Sequence, residues 1–330
     1  MWSMIMNISC AMSMIFSAVL VLPAYGLAME LLADESLSKV NGQDGISVGV
    51  QLPNAALKFS QLSLLDSNGV AGGSHVGGLD YTSPGAWLYA PKSYDANGAI
   101  QFFADGNFST ASSQPITVNI DAGTGAAGAT LNVALAMPAD MQGLRINPFS
   151  LYLWDSPGNI FNPARPTLQT GVTEVLRSGT INMLFSSNPI MNFQLGSEPQ
   201  GHMMSLSAGT LSCISNVDSL CGPISAASED KISLLSDNVS TDSEISLDFL
   251  FDARAYGGFG LAGMYADIES TGLVLGREGT TTKFDIHLLN VDFGTVGTAI
   301  PGGPANGQAI SRMGAEGVTI TDLQTRIHGI

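Results

Sequence analysis

Ile46-Ser47-Val48-Gly49-Val50-Gln51-Leu52 alternates apolar with polar or small residues along its whole length. A helix brings every third or fourth residue to one face, whereas a strand brings every second. This stretch therefore places its apolar side chains on one side of a pleated strand. The same alternation returns at Ile116-Val118-Ile120, Leu131-Val133-Leu135, Ile245-Leu247-Phe249 and Leu273-Leu275. Period two dominates, and the chain reads as all-β.

A second pattern indicates how the strands are arranged. An alternating apolar pair is interrupted by a gap of three and then resumes. It does so at Leu57-Phe59 with Leu62-Leu64, at Leu144-Ile146 with Phe149-Leu151-Leu153, and at Phe284-Ile286-Leu288 with Val291-Phe293. Val318-Ile320 with Leu323 and Ile327 continues the series, and Met204-Leu206 with Leu211-Cys213 is its loosest copy. A three-residue gap flips which side faces inward, so each interruption demands a bulge or a corner where the strand passes from one sheet to another. The prediction is two packed, mostly antiparallel sheets in an irregular sandwich or roll. The spacing is too uneven for a short-period solenoid.

Turn chemistry fits many hairpins. Asp66-Ser67-Asn68-Gly69 and Asp95-Ala96-Asn97-Gly98 carry Asn-Gly, and Asp105-Gly106 adds a third signal. Helix is scarce: Asp34 can cap one short N-terminal helix bearing Leu37 and Val40, stopped by Asn41-Gly42. The Pro-rich stretch 157–171 reads as a long loop, and the Ser- and Asp-rich stretch 226–244 as a mobile loop or soft seam.

The chain has 330 residues, with 12 Lys and Arg against 28 Asp and Glu and a formal net charge of −16. Such a surface repels nucleic acid and anionic lipid, so no nucleic-acid partner is expected. Glycine numbers 38, above the usual ~7% of residues. That suits a secreted β protein in which Ser, Thr and Asn take the outward positions.

Residues 1–28 open with an apolar run whose core is Met12-Ser-Met-Ile-Phe-Ser-Ala-Val-Leu-Val-Leu22. Pro23 and the small-residue endings Ala24-Tyr25-Gly26 and Gly26-Leu27-Ala28 follow. This is the layout of a secretory signal peptide cleaved after Ala28. No Lys or Arg precedes Lys39, so the basic n-region is missing and a membrane anchor is the competing reading. Pro23, Gly26 and the absence of a basic stop-transfer flank favour removal, leaving no membrane span in a single large β domain over 29–330. Export leaves two cysteines, Cys213 and Cys221, expected to close a short disulfide loop.

The segment from Met29 to Val48 carries an acidic residue at Asp34, Leu37, Val40, Gly42-Gln43, and Gly45 followed by the alternating strand. It resembles the start of a family of exported gammaproteobacterial proteins of unknown function, DUF6160, which includes FilA-type pilus-system proteins. The close match covers about twenty residues. The resemblance implies export and a pilus-system association, and it carries over no active site.

Chemical motifs are weak. Gly258-Phe-Gly260-Leu-Ala-Gly263 matches a dinucleotide fingerprint but precedes strand-like sequence, so glycines at a bulge or close sheet contact are preferred. The Asp-x-Asn-Gly turns lack the calcium-loop ladder, although a weak site built from acidic loops including Asp237, Asp242 and Glu244 stays open. His75, His202, His287 and His328 show no metal spacing, and Ser74-His75 lacks a nucleophile elbow. No cofactor, metal or catalytic residue is expected. The reading is a non-enzymatic surface or periplasmic protein, an accessory or structural part of a pilus-like system with envelope or pilus-system proteins as partners. A C-terminal strand carrying Val318, Ile320, Leu323 and Ile327 can pair with another chain. The alternatives are a glycan- or hydrophobic-ligand-binding module using Trp87, Tyr89, Tyr94, Tyr152 or Trp154, and a secreted hydrolase.

Overall fold

The computed structural model describes residues 45–59, 61–66, 85–91, 99–125, 128–154, 172–196, 201–217, 221–223, 231–238, 243–270, 272–295 and 311–327. All of them belong to one compact unit beginning at Gly45. That unit is nearly all β, and among the described residues no helix reaches seven residues. The expected N-terminal helix and signal peptide lie outside the described residues, as do Asp34, Leu37, Val40, Gly42 and Gln43.

The described residues make eight passes, each spread over three ladders. Pass one is β1 (Ile46–Val50), a 3₁₀ turn (Pro53–Ala55), β2 (Ala56–Leu57) and β3 (Leu62–Asp66). Pass two is β4 (Gly85–Pro91), β5 (Ile100–Phe103) and β6 (Ile116–Gly125), and pass three is β7 (Gly128–Ala136), β8 (Gly143–Ile146) and β9 (Phe149–Trp154). Longer strands then span two ladders at once. Pass four is β10 (Val172–Ser178) and β11 (Ile181–Gly196), and pass five is β12 (Met204–Ser215) and β13 (Ile232–Asn238). Pass six is β14 (Ser243–Gly260) and β15 (Met264–Glu269), pass seven β16 (Gly272–Arg277) and β17 (Phe284–Thr295), and pass eight β18 (Ser311–Val318) and β19 (Gln324–Ile327).

Every pairing among the described residues is antiparallel. The first ladder joins β3, β4, β9, β10, β13, the start of β14, the end of β17 and the start of β18. The middle ladder joins β2, β5, β8, the start of β11, and the ends of β12 and β14 to the start of β17 and the end of β18. The third joins β1, β6, β7, the end of β11, the start of β12, β15, β16 and β19. Odd-numbered passes run from third to first ladder, and even-numbered passes run back.

The interrupted patterns are where the chain changes ladder. Residues 58–61 separate β2 from β3, and Asn147-Pro148 separates β8 from β9. In β17 the register shifts between Leu289 and Val291, with Asn290 at φ 50°. In β12 it shifts between Leu211 and Cys213, beside Gly209 at φ +113°. A Cβ on Gly209 would lie 2.7 Å from the Cα of Pro189, so only glycine fits there. Pro189, which cannot donate to a ladder, sits where β11 leaves the middle ladder for the third.

Apolar rows run across the ladders. One crosses the third from Ile46 through Ile120, Val133, Phe193, Met204, Ala266 and Leu275 to Thr325. The core lies where middle and third ladders meet: Leu52, Ala55, Phe102, Met141 and Phe185 are buried, with Val50, Ile116 and Leu144 packed against them.

The other face of the middle ladder is polar, its row passing Gln101, Arg145, Asn182, Ser215, Asp252 and His287. Asn182 and Ser215 there are 0% exposed. The centre of the Ser- and Asp-rich stretch is the strand β13 rather than a loop, because Ile232 and Leu234 alternate with Ser233 against β14.

Candidate functional site

The last pass holds all four residues expected to form a partner strand, but on two strands with a corner between them. Val318 ends β18 opposite Phe284, and Ile327 lies in β19 opposite Leu273. Between them Ile320 donates its N–H to Thr281 Oγ1 at 3.0 Å and accepts from Thr281 N at 2.9 Å. The carbonyl of Leu323 accepts from Arg277 N at 2.8 Å. Leu323 and Ile327 remain 48% and 52% exposed. Among the described residues no strand pairs with the outer edge of β18 or β19.

Side chains that sequence reading passed over pin this pass to pass seven. Asp285 accepts from Tyr256 Oη at 2.6 Å and from Gly317 N at 2.7 Å. Those bonds, the tyrosine's first, hold its carboxyl below the usual range and push the Tyr256 phenol up. Asp322, at φ 46°, accepts from Gly279 N at 2.7 Å, and Thr280 meets Thr321 at 2.8 Å. Arg326 pairs with Glu269, two passes away, at 2.9 Å. The only sequence signal for these contacts is a scatter of Asp and Thr near a strand end, which also describes ordinary turns.

Gly45 is the one motif residue within the described chain. Its φ is +71°, and a Cβ would lie 2.7 Å from the Ile120 carbonyl oxygen, so the entry into β1 requires glycine.

Cys213 in β12 is bonded to Cys221, with Cα atoms 6.0 Å apart. The bond fixes Gly222 and Pro223 over the polar row. There the Pro223 carbonyl accepts from Arg145 Nη2 at 2.7 Å and Asn182 Nδ2 at 3.4 Å. Replacing both cysteines by serine is expected to lower the unfolding free energy by roughly 2–3 kcal/mol on the chain-entropy account of a short loop, measured by urea titration.

Two histidines lie between carboxylates. His202 meets Asp267 at 2.6 Å through Nδ1 and Glu278 at 3.2 Å through Nε2, and stacks on Tyr265 with centroids 3.7 Å apart. His287 lies 3.8 Å from both Asp252 and Glu316. Desolvation pulls the His202 pKa down, but hydrogen bonds to Asp267 and Glu278 outweigh it and raise the value above 6.5. A raised histidine stabilises the fold fully below the unfolded value and loses that contribution as pH rises through the folded one. His202→Gln should therefore narrow the melting-temperature gap to wild type as pH climbs through and beyond 6.5. Paired thermal melts across pH check this.

The glycine motif lies in strand and turn: β14 runs through Gly260 and β15 starts at Met264, with no helix between. Gly258 has φ +91°, and its Cβ would meet Thr210 Cγ2, a close sheet contact of the kind expected. Tyr89 stacks on Phe149 at 4.6 Å, and burial pushes its phenol up to about 12. Tyr89 lies opposite Leu151 and Tyr152 opposite Leu88, so the two tyrosines occupy opposite faces and form no shared platform. Tyr94, Ser74, His75, Asp242 and His328 lie outside the described residues, as do the side chains of Trp87, Trp154, Asp237 and Glu244. Among the described residues no three His, Cys, Asp or Glu are grouped to hold a metal ion. No described helix is long and apolar enough to cross a membrane. Comparison with protein-family models, curated proteins and solved structures gave no match.

Proposed function

We propose that this chain is an exported, non-enzymatic β protein of a Gram-negative envelope, serving a pilus-like system as an accessory or structural component. The observation that carries the reading is the outer edge of the last pass, which no described strand covers and beside which Leu323 and Ile327 keep exposed apolar side chains that a partner strand could bury. The N-terminal resemblance around Gly45 supports the setting, and the acidic, lysine-poor composition suits the compartment. In this reading residues 1–28 are removed on export, a short helix precedes Gly45, and the ladders pack face to face as an irregular roll. Other envelope or pilus-system proteins are the partners.

Deleting the gene should alter surface fibres, adhesion or biofilm while growth on simple medium continues. Mass spectrometry of envelope material should find a chain starting at Met29. Unchanged fibres and adhesion, together with turnover of a glycan, lipid or peptide by purified protein, would overturn the proposal. A second reading, a module for hydrophobic ligands, is favoured by the exposed first-ladder row of Leu62, Leu234, Leu247 and Phe293.

A further inference from the structure

The two end passes have complementary directions. Pass one runs from third to first ladder and pass eight runs from first to third, because the number of passes among the described residues is even. A second copy laid with its pass one against pass eight of the first would continue the antiparallel alternation in all three ladders. With an odd number of passes the same contact would be parallel.

The faces agree as well. Register carries the row of Ile46 to Thr325, so Ile46 and Val48 at one end share a face with Ile327 at the other. Of seventeen exposed large apolar side chains among the described residues, eight lie on these two passes, although the passes are only a quarter of the eight.

Charge does not oppose the contact. The chain carries −16 overall, yet Lys58 balances Asp66 on pass one, and Arg312 and Arg326 balance Glu316 and Asp322 on pass eight. Unpaired edges that match in direction, face and charge are what folded proteins ordinarily avoid.

We infer that the edge of pass eight takes pass one of a second copy, so that the protein stacks head to tail into an open filament. This deepens the preceding reading and rests on it for the filament's place in a fibre system. Stacking is measured on purified protein, whereas the pilus reading is tested in cells, so the two can fail separately. Eight passes at the usual strand separation give an axial repeat of roughly 38 Å per copy. Added salt should lengthen the stacks by screening the net charge.

The test uses full-length protein purified from the envelope, followed by sedimentation velocity and electron microscopy. Wild type should form concentration-dependent linear assemblies. Leu323→Asp, blocking pass eight, and Val48→Asp, blocking pass one, should each be monomeric with unchanged circular dichroism and melting. Met313→Lys serves as a second pass-eight variant if Leu323→Asp is destabilised. Mixing Leu323→Asp with Val48→Asp should restore pairing but stop at dimers, because one intact edge of each kind remains. A monomeric wild type at its highest soluble concentration would overturn the inference. So would Val48→Asp assemblies like those of wild type, or a mixture that stays monomeric.

Discussion

Lys231→Met is expected to lower the unfolding free energy by about 3–5 kcal/mol, the range for stranding one partner of a buried ion pair. Lys231 Nζ lies 2.6 Å from Asp292 Oδ2, and Asp292 is 3% exposed. Asp248 stands directly across the ladder from Asp292, so removing the ammonium leaves two facing carboxylates, each with one buried oxygen lacking a hydrogen-bond partner. The double change Lys231→Met with Asp292→Leu should recover most of the loss, since an apolar pair of similar volume needs no counter-charge. Urea titration of the single and double variants checks both, and a single variant as stable as wild type would contradict the ion pair.

Arg145→Met should cost a comparable amount, about 3–4 kcal/mol. The guanidinium lies 5.2 Å from the Phe103 ring centroid and 5.1 Å from that of Phe108. Its Nε donates to Asn182 Oδ1 at 2.9 Å, and its Nη2 to the Pro223 carbonyl. Methionine refills part of the space between the rings but donates nothing, so the fully buried Asn182 loses a partner that water cannot replace. Gly222→Ala should strike the same place by another route, since its Cβ would fall 2.3 Å from Phe108 at a φ of +98°. A loss below about 1 kcal/mol, the worth of one exposed contact, would show that Arg145 is solvated rather than clamped.

The strands were legible because period two survives wherever one face is apolar: β6, β7, β14 and β16 contain the alternating runs read from sequence, and β1 holds its run as far as Val50, with Leu52 beyond it leading into the 3₁₀ turn. The corners were legible for the same reason, since a parity flip at Asn147-Pro148 or Asn290 leaves a mark in the apolar spacing. What did not show was how many ladders those corners serve. Each interruption looks alike in sequence whether it joins the first ladder to the middle or the middle to the third. The residues that distinguish them, such as Pro189 with Gly209, are far apart in the chain. The buried polar row was hidden too, because Asn182 looks like an outward position until the Pro223 carbonyl, held near it by the Cys221 bond, accepts from it and from Arg145. The end-pass site is half visible: apolar spacing marks Ile320, Leu323 and Ile327, but nothing in it marks the Asp285 and Asp322 contacts beside them.

The most direct measurement is made in the native host, with Leu323→Asp and Ile327→Asp together in the chromosomal gene and surface fibres counted by electron microscopy at matched protein abundance. Loss of fibres with normal levels of exported, disulfide-bonded protein is the predicted result. Fibres of normal number and length at equal abundance would contradict the account.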